Sequence, residues 1–195
     1  MEYTYIHNHQ SQFIEWFGNE PNMTLSDIFE IIRNGANIRQ GNSTSGLPIT
    51  RIETISDETV DRSKMGYADL KLGDYTSYYL EDGDILLSHI NSLKHIGKCA
   101  LYTRKSGETI VHGMNLLMLR PTQKVIPEFA LHMLRSKNVR SQIQDITKPA
   151  VNQASFTVSD VKKIKVFIPS LEEQQRFVSI VRQADKSKYY EINET

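Results

Sequence analysis

The sequence predicts an α+β fold, with mixed or antiparallel strands, short helices and a longer closing helix, and three observations lead there. In KKIKVFIP, Ile164, Val166 and Ile168 share one face while Lys163, Lys165 and Phe167 share the other, the period of a half-buried strand. Leu171, Phe177, Ile180, Val181 and Ala184 instead follow helical spacing, with Glu172, Glu173, Arg176 and Arg182 outside the stripe. Pro169 stands between the two periods and stops the strand. A chain of 195 residues, 39% of them hydrophobic, suits one domain with appendages.

The other elements follow in chain order. Residues 1–23 form a prelude broken at Gly18, Asn19 and Pro21. Thr24 to Asp27 carries capping-box residues ahead of Ile28, Phe29 and Ile32, so a helix is expected from there to a left-handed stop at Gly35. A polar, glycine-broken loop with Arg39, Gln40, Asn42, Ser43 and Thr44 leads into LPITRIETI, whose alternation predicts a strand. Asp82-Gly83 is a turn, and Ile85, Leu86 and Leu87 open a buried strand. GKCALY and TIVHGMNLLMLRP supply two more, the second with His112, Gly113 and Asn115 at its mouth. Pro127 sits at the first turn of a helix whose apolar pairs are Phe129/Met133, Ala130/Leu134 and Val139/Ile143, and Lys148-Pro149 ends it.

Composition narrows the function classes. The one cysteine, Cys99, makes no intrachain disulfide and suits a small core residue. Neither a membrane span nor a secretory leader is indicated, which makes the cytoplasm the expected location. Net charge is zero, but Asp/Glu and Lys/Arg number 14 and 6 in residues 1–84, 4 and 13 in 85–168, and 5 and 4 in 169–195. The local balances are therefore −8, +9 and −1. A basic block of this kind suits a polyanion, whose counterions it releases, or forms a solvated face without a partner.

Within that block, residues 88–107 hold no acid but carry Lys94, Lys98, Arg104 and Lys105. Arg135, Lys137 and Arg140 decorate the helix after Pro127, as phosphate contacts or as a solvated surface. Glu81, Asp82 and Asp84 fit turn chemistry better than a calcium loop, which needs further oxygen ligands. His89 with Asn91 and His112 with Asn115 bring a metal-dependent nuclease to mind, but no acidic ligand, paired-cysteine or zinc-helix spacing accompanies them. No phosphate loop, nucleophile elbow or dinucleotide fingerprint is present.

The order SF, a polar stretch, a strand ending in IP, then LEEQQRFVSIV resembles the end of a target recognition domain in the DNA specificity subunits of type I restriction-modification systems. GDIL followed by a polar loop and then GMNLLMLR resembles the same family, and the likeness runs from SQFIEWFG to DKSKYY. SQFIE also resembles SKYYE, 176 residues later, as though both ends belonged to spacer. The resemblance implies a spacer-like segment over 1–23, a target recognition domain over 24–169 and a spacer, dimerisation helix over 170–195. It implies a non-catalytic chain that binds one half of a bipartite double-stranded DNA target and docks methyltransferase and restriction subunits. S-adenosylmethionine, ATP and Mg would serve those partners, with no metal or cofactor in this chain.

Candidate DNA contacts are Arg39, Asn42, Ser43, Thr44, Ser88, His89, Asn91, Ser92, Lys94, Lys98, His112, Asn152 and Gln153. Leu171, Phe177, Ile180, Val181 and Ala184 either close the domain's own core or pair with a second copy in a homodimer, as a coiled coil. Family members usually carry two recognition domains, whereas this chain carries one. The rival readings are a helix-paired scaffold without DNA and, more remotely, the nuclease.

Overall fold

The computed structural model describes residues 20–40, 43–56, 59–151 and 153–193. The strands are β1 (Met23–Thr24), β2 (Phe29–Asn34), β3 (Ile55–Ser56), β4 (Thr59–Val60), β5 (Ile85–Ser88), β6 (Ile90–Asn91), β7 (Cys99–Leu101), β8 (Leu116–Pro121), β9 (Lys148–Pro149), β10 (Ala154–Ser155) and β11 (Lys165–Val166). The helices are α1 (Leu25–Ile28), α2 (Pro127–Arg135), α3 (Lys137–Ile146), α4 (Val158–Lys162) and α5 (Leu171–Asn193). Six strands form the main sheet in the order β2-β8-β5-β7-β4-β3, antiparallel except where β4 meets β7. Two small sheets, β6-β10-β9 and β1-β11, complete an α+β fold.

The centre of the main sheet is buried on both faces, which explains why β5 and β8 read as continuous apolar runs. Successive side chains alternate between two cores. Ile85, Leu87, Leu117 and Leu119 join Phe129, Leu134, Ile143 and Phe177 of the helices. Leu86, Leu116 and Met118 join Val60, Leu80, Tyr102 and Ile110 of the opposite layer.

The N-terminal helix is shorter than expected. Asp27 accepts bonds at 2.7 Å from both the amide and the hydroxyl of Thr24, but α1 ends at Ile28 and the chain continues as β2. A bulge between Phe29 and Ile31 turns Phe29 and Ile32 to the same core, giving a strand the three-residue spacing of a helix. Gly35 is no left-handed stop. A Cβ there would lie 2.0 Å from the Gly113 carbonyl oxygen, so its lack of a side chain lets two backbones touch. LPITRIETI is not a regular strand either, since Ile49 bridges Gly66 and Val111 singly before a 3-10 turn over Ile52–Thr54. The helix after Pro127 is two helices, because Ser136 caps α3 through a bond from the Val139 amide. At the C-terminal end the alternation holds: Ile164, Val166 and Ile168 are buried while Lys163 and Lys165 are exposed, although only two residues make ladder bonds. The expected division between 23 and 24 falls within β1, which pairs with β11.

Several polar groups are locked inside. Arg120, at the end of β8, grips Asp84 at 2.8 and 2.9 Å and also bonds Glu81 and the Tyr79 carbonyl. Burial holds the Asp84 carboxyl above the ordinary range, and the Arg120 hydrogen bonds offset only part of that rise. His112 is wholly buried with Nδ1 3.3 Å from the Thr50 hydroxyl, which itself accepts the Gly113 amide at 2.9 Å. His89 is 5% exposed and lies edge-on to Phe156 at 6.2 Å. Burial lowers the two imidazoles to about 4 for His89 and about 3 for His112.

Two predictions follow from these interior groups. Asp84→Ala leaves the Arg120 guanidinium without its buried partner and is expected to cost about 3–5 kcal/mol in denaturant unfolding. The histidines are held neutral, so the folded chain binds fewer protons than the unfolded chain once pH drops below about 6.5. Their contribution is fully present above that value and is lost as pH falls toward about 4 for His89 and about 3 for His112. Thermal unfolding should show a loss of up to about 1.4 kcal/mol per pH unit for each histidine, and His89→Gln should remove its share of that slope.

Candidate nucleic-acid interface

The loop between β5 and β7 is closed like a hairpin, with the Ser88 amide donating to the Lys98 carbonyl and the Gly97 amide to the Ser88 carbonyl, both at 2.8 Å. Inside it, the Ser92 carbonyl accepts the amides of His95 and Ile96 at 2.9 Å. Gly97 has a φ of +78°, and a Cβ there would lie 3.2 Å from Ile143. A left-handed residue with no side chain therefore lets the loop settle against α3. An open cleft of about 650 Å³ separates the rest of the loop from the helices. Lys94 lines one wall, and Arg135, Lys137 and Arg140 line the other, with Leu93, Ile96 and Ile143 among the apolar residues.

The cleft wall contains no carboxylate, so four cations are concentrated on one concave surface. Field lines from such a groove are focused toward solvent, and guanidinium groups match phosphate oxygens in pairs. The α3 amino terminus faces the same side, with Lys137 at its first position and no acid in its first turn, which adds to the attraction for anions. Asn91 and Ser92 come just before the cleft residues Leu93 and Lys94 in the chain. Asn91 pairs with Ala154 across β6 and β10, so Ser92 and Gln153 leave that ladder at the same end.

The expected contacts thus divide. Ser92, Lys94, Lys98 and Gln153 are exposed, and Asn91 is half-buried, donating to the Ser88 hydroxyl at 3.1 Å and accepting from the Ser92 amide at 2.8 Å. Ser88, His89 and His112 must be reassigned to the interior, because they are 1%, 5% and 0% exposed and offer no side chain to a ligand outside. Arg39 and Thr44 are exposed on another loop, where the Ser43 hydroxyl donates to Asp69 at 2.7 Å and Leu47 bonds Leu70. Asn42 and Asn152 lie outside the described residues. Arg135, Lys137 and Arg140, for which the sequence left phosphate contact and a solvated face both open, line the cleft.

The acids considered for metal binding have other uses. Arg120 holds Glu81 and Asp84, and Asp82 accepts the Arg104 amide at 2.8 Å. Among the described residues no group of three or more His, Cys, Asp and Glu side chains is arranged to hold a metal ion. No helix among them is long and apolar enough to cross a membrane.

On the closing helix the apolar stripe is divided between the domain and the outside. Phe177 is buried edge-to-face on Phe129 at 5.3 Å, Val178 is buried beside it, and Val181 packs on the same core. Leu171 is 51% exposed, and Ile180 and Ala184 are half-buried.

Comparison with known proteins agrees with this architecture. The family model described as "Type I restriction modification DNA specificity domain" matches residues 19–194. The putative type I restriction enzyme MjaX specificity subunit of Methanocaldococcus jannaschii is 47% identical over 83% of this chain and 38% of its own length. The type I restriction enzyme EcoKI specificity subunit of Escherichia coli is 25% identical over 83% of this chain and 35% of its own. The chain thus spans less than half the length of these curated relatives. The crystal structure of the HsdS subunit from Thermoanaerobacter tengcongensis shares the fold, with a TM-score of 0.63 at 17% identity over 91% of this chain and 42% of that one. With the family model covering nearly all of it, the chain belongs to the type I restriction-modification DNA specificity domain family.

Proposed function

We propose that this chain is a non-catalytic target recognition unit that binds one half of a bipartite site in double-stranded DNA. The observation that carries the reading is the acid-free cleft, where the Lys94 loop and the Arg135, Lys137 and Arg140 helices face one another. Four cations on a concave surface suit a phosphate backbone, which sets position, while Asn91, Ser92 and Gln153 at its margin suit base edges, which set sequence. Arg39 and Thr44 offer a second polar loop to the same ligand. Family membership supports this division between a chain that selects and partner subunits that act.

Methyltransferase and restriction subunits are the proposed protein partners, in the cytoplasm, and S-adenosylmethionine, ATP and Mg belong to their chemistry. The closing helix is the proposed docking and pairing element. Because Phe177 and Val181 serve the domain, pairing with a second copy would use Leu171, Ile180 and Ala184 with the helix beyond them.

Lys94→Ala and Arg140→Ala should each weaken binding to all duplexes. Each should reduce the slope of log affinity against log salt by about one unit, measured by fluorescence anisotropy at several salt concentrations. Unchanged slopes in folded variants would remove the cleft from the interface. Light scattering of the chain at micromolar concentration is expected to give the mass of a dimer, and a monomer would exclude self-pairing.

A further inference from the structure

We propose that Gln174, with Asn22 as an outer brace, is a positioning residue that fixes the direction in which α5 leaves the domain. Gln174 is fully buried in the first turns of α5, yet both its amide oxygen and its amide nitrogen are bonded. Its Oε1 accepts the Ile126 amide at 2.8 Å, and its Nε2 donates to the Lys124 and Pro169 carbonyls, each at 3.0 Å. The side chain thereby joins the helix to the segment leading into α2 and to the proline before the helix. Asn22 repeats the device outside: its Oδ1 accepts the Ile168 amide at 2.9 Å and its Nδ2 donates to the Ile168 carbonyl at 3.0 Å.

The neighbouring Phe177, Val178 and Val181 contacts bury area but tolerate swivelling, since apolar attraction has little directional preference. The Arg182–Glu128 ion pair is partly exposed, Arg182 more than Glu128, and sets an angle only loosely. Hydrogen bonds to three backbone groups on two segments do define one. Asn193 lies nineteen positions beyond Gln174, about 29 Å of helix, so a swivel of roughly 10° moves the far end by about 5 Å. That exceeds one base-pair step of about 3.4 Å. The consequence for DNA rests on the function proposed above: a fixed exit angle holds the cleft at a fixed distance from whatever the helix engages.

The direction of α5 can be read without DNA. Nitroxide labels on Ser159→Cys and Ser187→Cys report the distance between the exposed surface of α4 and the far part of α5 by pulsed electron resonance. Cys99 is buried and its thiol is pushed up to about 12, so it does not compete for label. Gln174→Met keeps length and volume but loses all three bonds. The expected result is a distance distribution at least about twofold wider, with the domain still folded by amide exchange. A folded Gln174→Met with an unchanged, narrow distribution overturns the proposal. If that variant does not fold, Asn22→Ala decides: widening supports the clasp, and an unchanged width overturns it. The DNA arm is separate, using enrichment from a pool of randomised duplexes by the unlabelled wild-type chain. If no duplex is enriched, the proposed DNA function fails while the distances still judge the clasp.

Discussion

The pairing of β5 with β8 in the middle of a sheet buried on both sides is the constraint on which the structure depends. A residue shift in this register would exchange the two cores, sending Leu86 and Met118 to the helical side and Leu87 and Leu117 to the other. Both cores are filled, so the register is specified twice. Arg120 closes the same ladder by crossing to Asp84 on β5's leading turn. From this fixed centre the loop between β5 and β7 is projected toward α3, and the position of the cleft follows from the register of the sheet.

The buried polar groups show what this arrangement demands. Histidines beside polar loops have the chemistry to touch DNA, yet His89 and His112 are used where short, irregular connections cover the sheet. There a flat polar ring fills space beside Phe156 or meets the Thr50 hydroxyl. Gly35 and Gly113 bring two backbones together at the same mouth. This part of the molecule is built from close main-chain contacts, and the Thr50 hydroxyl holds the Gly113 amide among them.

Local pattern made part of this legible. Strands β5, β7 and β8, the proline start of α2, and the change from strand to helix around Pro169 follow from residue order because each depends on neighbours in sequence. Strand β2 was obscured because its bulge reproduces helical spacing at Phe29 and Ile32, and only pairing with the distant β8 resolves it. The cleft was legible only as a basic block: Lys94 and Arg135 are 41 positions apart, and their approach depends on Gly97 lying against Ile143. Gln174 gave no signal as a buried amide, since a glutamine in a charged helical segment has the composition of a solvated face.

The Asn22 brace has a consequence for how such a unit is built into longer chains. It makes the place where the chain enters the domain adjacent to the place where it leaves, although 146 positions separate them. A globule with neighbouring ends behaves as a bead on a rod: it can interrupt a continuous helical support, be duplicated in tandem or be exchanged for another bead without altering the path of the support. Diversification can then act on the loops of the bead while the junction remains a common fitting.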